Sequence, residues 1–307
     1  MRFSVWPWLS KSWPELAELV GHVESTGWDG VYVADHFMGD GGTFGAVEAP
    51  LLESTATIAA LAGATERVRL GTIVLGVTYR HPAVLAKWAS TLDHASGGRL
   101  VLGVGAAWQQ NEHDQYGIEL GSVGERVGRF GEALEVLAGL LSQPLTTVHG
   151  DHYRVTDAVA EPKPLQSPLP LLVGAKGDRM LGYAARWAHE WNMWSTPETN
   201  VERAAVLHRH CESIGRDPAA ITRSTQALVF LAEDGSPESI RRQQELTERY
   251  SPRPSVAGTA AQIAEQVAAY GEVGVSEFIV PDLTLGTGAQ RTDTLDALIE
   301  AFAPLRG

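Results

Sequence analysis

The sequence predicts an α/β fold of the (β/α)₈ TIM-barrel class, with insertions at the C-terminal face, and three observations carry that prediction. Eight short apolar runs alternate with eight amphipathic stretches along 307 residues, and such repetition favours parallel strands closed into a ring by helices. Several runs are almost wholly apolar, as strands covered on both faces must be. An open doubly wound sheet would carry G-x-G-x-x-G after its first strand, whereas Leu9-Ser10-Lys11-Ser12-Trp13 follows here.

The first strand is Arg2–Trp8. It leads to a helix over Trp13–Ser25, which Ser12 caps, Pro14 opens and Gly27 follows. Gly30–His36 precedes a helix over Leu51–Thr65, and Arg69–Val77 precedes one over Pro82–Ala95 that His81-Pro82 opens. Arg99–Gly105 is followed by a long polar stretch, residues 106–124, and then a helix over Arg126–Leu141. Residues 144–168 break the rhythm again, with the hairpin-like TTVHGDHYRV and a proline-rich run. Leu169–Ala175 leads to a helix over Arg179–His189, and Glu190–Trp194 to one over Val201–Ile214 behind Thr196-Pro197. Ser224–Glu233 leads to Ala260–Tyr270, which Gly271 closes, and Glu277–Asp282 leads to Thr294–Ala303. No linker or repeat divides the chain, so residues 1–307 are expected to form one domain. The two long breaks belong at strand ends, where loops carry function.

Composition narrows the function. Twenty-four basic residues against 37 acidic ones give a net charge of −13, which argues against a nucleic-acid partner. No run approaches 18 apolar residues and the first residues lack a signal-peptide pattern, so a cytoplasmic protein without a membrane span is expected. The one cysteine, Cys211, permits no internal disulfide. His208, His210 and Cys211 share a helix but do not amount to a zinc set. No metal site is expected, and the G-x-S-x-G elbow of serine hydrolases is absent.

Polar and small residues at strand ends mark the site. Asp35-His36 ends the second strand, where a histidine can exchange a proton with a ligand in the barrel mouth; capping and packing are the alternative roles. Gly71 and Gly76 bracket the third strand; glycines there can mark a bulge, but the pattern alone favours an ordinary buried strand. Gly103-Val104-Gly105-Ala106-Ala107-Trp108, followed by Asn111, offers bare backbone beside a flat apolar wall, or simply a packed mouth. Gly174-Ala175-Lys176-Gly177 runs into a helix at Arg179-Met180, a plausible phosphate cradle although not a Walker loop. Trp6, Trp8, Trp108 and Trp194 stand at strand ends and suit a pocket for a flat substrate, unless they only fill the core.

Together the segments GWDGVYVADHF (27–37), RVRLGTIVLGVTYRHPAVLAKWASTLD (67–93), GGRLVLGVGAAWQQNEHDQYG (97–117) and LPLLVGAKGDRMLGYAARWAHEWNMW (169–194) resemble the luciferase-like monooxygenase superfamily, and most closely its coenzyme F420-dependent oxidoreductases. The resemblance covers nearly the whole chain. It implies a barrel with the deazaflavin at its mouth, Asp35 and His36 in contact with it, and His36 as proton donor. It implies a bulge with a non-prolyl cis peptide around Ile73-Val74 behind the ring. It places Gly76, Ala106, Ala107 and Asn111 on the cofactor, and Gly174, Ala175, Lys176, Gly177, Arg179 and Met180 around its phosphate. The sugar-phosphate dehydrogenases of this group carry a glutamate where this chain has Trp108 and a lysine that is missing near Trp194, so a small apolar or aromatic substrate is expected. Hydride transfer between F420 and that substrate is the implied activity. An FMN-dependent monooxygenase and a non-catalytic cofactor-binding barrel are the alternatives, and a homodimer is implied by resemblance alone.

Overall fold

The computed structural model describes residues 1–232 and 236–306. In chain order the strands are β1 (Arg2–Trp6), β2 (Gly30–Val33), β3 (Arg69–Thr72), β4 (Leu75–Gly76), β5 (Leu100–Gly105), β6 (Thr146–His149), β7 (Arg154–Ala158), β8 (Leu171–Gly174), β9 (Glu190–Trp194), β10 (Thr222–Gln226), β11 (Leu228–Leu231), β12 (Ser255–Gly258) and β13 (Glu277–Pro281). The helices are α1 (Trp13–Ser25), α2 (Ser54–Ala64), α3 (Pro82–Ala95), α4 (Gln110–Tyr116), α5 (Val123–Ser142), α6 (Asp178–Trp187), α7 (Pro197–Ser213), α8 (Pro237–Tyr250), α9 (Ala260–Glu272) and α10 (Ala289–Phe302). The ring runs β1, β2, β3, β5, β8, β9, β10, β13 and back to β1, every pair parallel. This is the closed eight-stranded barrel that the alternation predicts.

Burial follows from that geometry. One core lies between strands and helices: α1 buries Leu16, Leu19, Val20 and Val23, one stripe at helical spacing. The other fills the lumen with Tyr32, Val101, Leu172 and Ile279. Beneath them the lumen is closed by charge. Arg69 donates to Glu190 at 2.5 Å and to Glu277 at 2.8 Å, and Ser4 Oγ donates to Glu277 at 2.6 Å. The Tyr32 ring lies flat over Gly71, where a Cβ would come within 2.1 Å of it.

The third ring position is broken where the resemblance implies a bulge, and not the ordinary strand that the pattern alone favours. β3 pairs with β5 at Leu70↔Leu100 and Gly71↔Val101, and β4 resumes at Leu75↔Val104 and Gly76↔Gly105. Four residues on one side therefore answer three on the other, which is a bulge. The Ile73-Val74 peptide inside it is cis. Across the gap Thr72 Oγ1 donates to the Gly103 carbonyl and accepts from the Gly103 N–H, both at 2.8 Å.

Several expected boundaries move. β1 stops at Trp6 and β2 at Val33, so Trp8 and His36 belong to loops at the rim. Ser224–Glu233 is not one strand: β10 stays in the ring, whereas β11 leaves it to pair in parallel with β12, and Glu233 lies outside the described residues. The hairpin of β6 and β7 forms as expected. Helices α4 and α8 fall in stretches that show no apolar stripe. No helix among the described residues is long and apolar enough to cross a membrane.

Candidate active site at the barrel mouth

Parallel strands put all their C-terminal ends on one rim, and the residues singled out in sequence gather there. His36 follows β2 and is almost fully buried. Its Nδ1 is 2.9 Å from Glu112 Oε1. Glu112 comes from α4, and its side chain is out of solvent. It also accepts the Phe37 N–H at 2.8 Å and a short bond from the Tyr79 hydroxyl. Burial works to raise the Glu112 pKa, but the bonds and charge from His36, Tyr79 and Phe37 outweigh it and hold the carboxyl below its usual range. Burial first, then the bond to Glu112, pushes the Tyr79 phenol far up, so it stays a donor. An ionised carboxylate has no proton to give, so the proton in this pair sits on His36 Nδ1. In the neutral ring that leaves Nε2 as an acceptor.

The residues around His36 form an aromatic box. The ring centres of Trp8, Phe44 and Trp108 lie 5.9, 5.8 and 5.5 Å from that of His36. Trp6 closes the far side, 5.7 Å from Trp194 and 6.2 Å from Phe44. Trp6 and Trp8 are buried, whereas Trp108 stands 53% exposed at the lip. All four tryptophans expected in a pocket are therefore in one wall. A cavity of about 180 Å³ opens beside it, lined by Trp8, Phe44, Gly45, Leu51 and Leu283 among others.

Next to the box lies a surface of bare backbone. Val74, just past the cis bond, turns its side chain between β5 and β8: a Cβ on Gly105 would meet it at 2.5 Å and one on Gly174 at 3.0 Å. Ala107 adopts φ +60°, and a Cβ on Gly76 would meet its methyl at 3.3 Å. This close packing of Ile73, Val74, Gly76, Ala106 and Ala107 suits the back wall for a flat ring.

Two residues expected on the cofactor are engaged by the protein itself, Asp35 and Asn111. The Asp35 carboxylate, 1% exposed, accepts from Ser54 Oγ at 2.6 Å, from the Gly76 N–H at 2.9 Å and from Arg80 at 2.7 and 3.0 Å. Asp35 thus positions the strand after the bulge. Asn111 spends its amide on the Gly39 carbonyl at 3.0 Å, and Gln109 holds Met38 and Gly39 in the same way. Both serve the glycine-rich loop that carries Phe44.

The segment expected to hold a phosphate runs from β8 into α6. Gly177 precedes α6 without any side-chain cap, so the first-turn N–H groups of Asp178, Arg179 and Met180 stay open. A Cβ on Gly177 would meet nothing within 4 Å. Lys176 and Arg179 are exposed beside it, and Met180 packs its side chain on the core. The Asp178 carboxylate turns away to Arg203, which holds its pKa down. Trp191 is core: it is buried, and its Nε1 donates to the Ala175 carbonyl at 2.8 Å, fixing the cradle from behind. An uncapped helix end, open space and two nearby cations fit a phosphate group.

Sequence reasoning missed Glu112, Phe44, Arg80 and Tyr79. A lone aromatic in GDGGTFGAV was a usable signal for Phe44. Glu112 gave none, because a buried carboxylate inside QQNEHDQ reads as loop.

The luciferase-like monooxygenase family model matches residues 2–244. A protein of Amycolatopsis mediterranei named F420-dependent glucose-6-phosphate dehydrogenase is 35% identical over 176 residues, 56% of this chain and 50% of its own length. The chain thus spans about half the length of such curated relatives. An F420-dependent secondary alcohol dehydrogenase, solved with an F420-acetone adduct, superposes with a TM-score of 0.83 over 98% of each chain at 19% identity. Monooxygenase RslO1 from Streptomyces bottropensis superposes with a TM-score of 0.82 over the whole of both chains at 21% identity. These two show the shared fold.

Proposed function

Because the chain belongs to the luciferase-like monooxygenase family, we propose that it is an F420-dependent oxidoreductase acting on a small substrate with apolar or aromatic character. F420, when bound, supplies two-electron hydride chemistry. Everything else is the work of this chain. The α6 N-terminus with Lys176 and Arg179 holds the phosphate, and the backbone from Ile73 to Gly76 with Ala106 and Ala107 backs the ring.

His36 handles the proton. With Nδ1–H given to Glu112, Nε2 of the neutral ring can take a proton from a substrate hydroxyl, and the imidazolium so formed is stabilised by the buried Glu112 charge. Run in reverse, the same imidazolium gives that proton back to a substrate oxygen or carbon. The aromatic box excludes water and holds an apolar substrate beside His36. The observation that carries the reading is the His36–Glu112 pair, set in an aromatic mouth next to the Val74 bulge.

The test is to titrate the protein separately with F420 and with FMN, under nitrogen, and to follow fluorescence quenching. Binding of F420 in the micromolar range, with FMN much weaker, supports the proposal. Tight FMN binding without F420 binding, with oxygen consumed by the reduced complex, replaces it with a flavin monooxygenase. Binding of either without turnover across a broad acceptor panel leaves a cofactor-binding barrel.

A further inference from the structure

Arg253 stands between Pro252 and Pro254 in the turn after α8. Its guanidinium carbon lies 4.8 Å from the centre of the Phe44 ring and 5.6 Å from that of Trp194. Those rings come from different parts of the rim, the loop after β2 and the end of β9. The cation is therefore seated over the box, half out of water. Burial lowers its pKa, and only the distant charge of Asp40 opposes that. Arginine does not give up its proton, so the desolvated charge persists.

A half-buried guanidinium usually recovers its lost hydration from a carboxylate. Here it does not: among the described residues no hydrogen bond or ion pair engages the Arg253 side chain. Asp40 spends its Oδ1 on the backbone of Gly42 and Phe44. Lys11, a cation of the neighbouring loop, is committed to Asp282 at 2.6 Å and to the Trp8 carbonyl. Two more polar atoms of the mouth are buried and unpartnered among the described residues, Trp6 Nε1 and Gln226 Oε1. Trp6 touches both rings that Arg253 covers.

We propose that Arg253 is the anion-binding subsite of this mouth, and that it selects planar apolar substrates bearing a carboxylate. The five donors of the guanidinium form a fork that matches a carboxylate in two parallel bonds. The body of the substrate then lies against the aromatic wall that Phe44 and Trp194 form. A carboxylate fits better than a phosphate. Among the described residues Arg253 is the only cation stacked on these rings, so a dianion would keep uncompensated charge in an aromatic box. The inference rests on the mouth being the reacting site, as proposed above.

The experiment compares cinnamate with cinnamamide, a pair of the same shape differing in one charge, by isothermal titration of the full chain with and without F420. Wild type is expected to bind cinnamate at least about tenfold more tightly. Arg253→Gln is expected to abolish that preference, and Arg253→Lys to keep part of it, with thermal melts checking that both fold. Equal binding of the pair by wild type, binding of neither, or a preference that survives in Arg253→Gln overturns the proposal. F420 affinity is read in the same titrations. Its absence sinks the cofactor reading, while the carboxylate comparison stands on the chain alone.

Discussion

His36 Nδ1 and Glu112 Oε1 sit 2.9 Å apart, and the glutamate half of the pair has no solvent around it. The imidazole is thereby held by a carboxylate that solvent does not reach. Truncating it tests the chemistry directly. His36→Ala is expected to lower kcat by about 10²–10⁴-fold, the usual worth of a positioned acid–base group, while F420 affinity from fluorescence titration changes less than about threefold. Unchanged turnover would remove His36 from the mechanism.

Glu112 carries a pH signature. Its carboxyl is held below the ordinary value of 4.5, since its bonds to His36, Tyr79 and Phe37 outweigh the burial that would raise it. The unfolded chain therefore takes up the proton more readily than the folded one. Stability from this group is fully present above pH 4.5 and drains away as pH falls through the lower folded value. Denaturant melts from pH 7 to pH 3 should show Glu112→Gln less stable than wild type at neutral pH, with the gap narrowing below pH 4.5. A constant gap would contradict it.

Arg80 neutralises Asp35, which in turn holds the Gly76 N–H. Arg80→Ala leaves the buried carboxylate without its counter-charge, though still bonded to Ser54 and Gly76, which costs about 3 kcal/mol. The same change loosens the back wall, so F420 affinity should fall as well. The double change with Asp35→Asn should recover much of the stability in urea melts but not the affinity.

Gly105 is occupied by a neighbour. A Cβ there would meet Val74 at 2.5 Å, so Gly105→Ala must displace Val74 or the strand. An overpacking cost of about 1–3 kcal/mol is expected, with a measurable loss of F420 binding. Gly177→Ala, by contrast, meets nothing within 4 Å and should leave the melting temperature nearly unchanged.

The cradle can be weakened through charge alone. Lys176→Ala with Arg179→Ala should raise the F420 dissociation constant about tenfold or more and reduce its salt dependence. The melting temperature should stay within a few degrees, as both side chains are exposed. Equal affinity in the variant would move the phosphate elsewhere.

What the sequence disclosed tracks what burial demands. Strands such as Leu100–Gly105, covered on both faces, must be apolar throughout and so stand out. Gly71 and Gly76 did not by themselves reveal the bulge; crowding by Tyr32 and Tyr79 requires them, and an ordinary strand could hold the same glycines. Helix α8 was hidden because it buries no residue and needs no apolar stripe. Helix α4 was hidden for the opposite reason: the residues it buries, Glu112 and His113, are polar. The bonds of Asp35 to Ser54, Gly76 and Arg80 were not legible, because only folding brings those residues together. Arg253 was invisible because only folding brings the turn after α8 onto Phe44 and Trp194.

The ionic floor of Arg69, Glu190 and Glu277 makes the barrel a blind-ended vessel. Whatever enters must back out by the door it used. For the function proposed above, entry and exit would both run over the rim where Phe44, Trp108 and Arg253 stand.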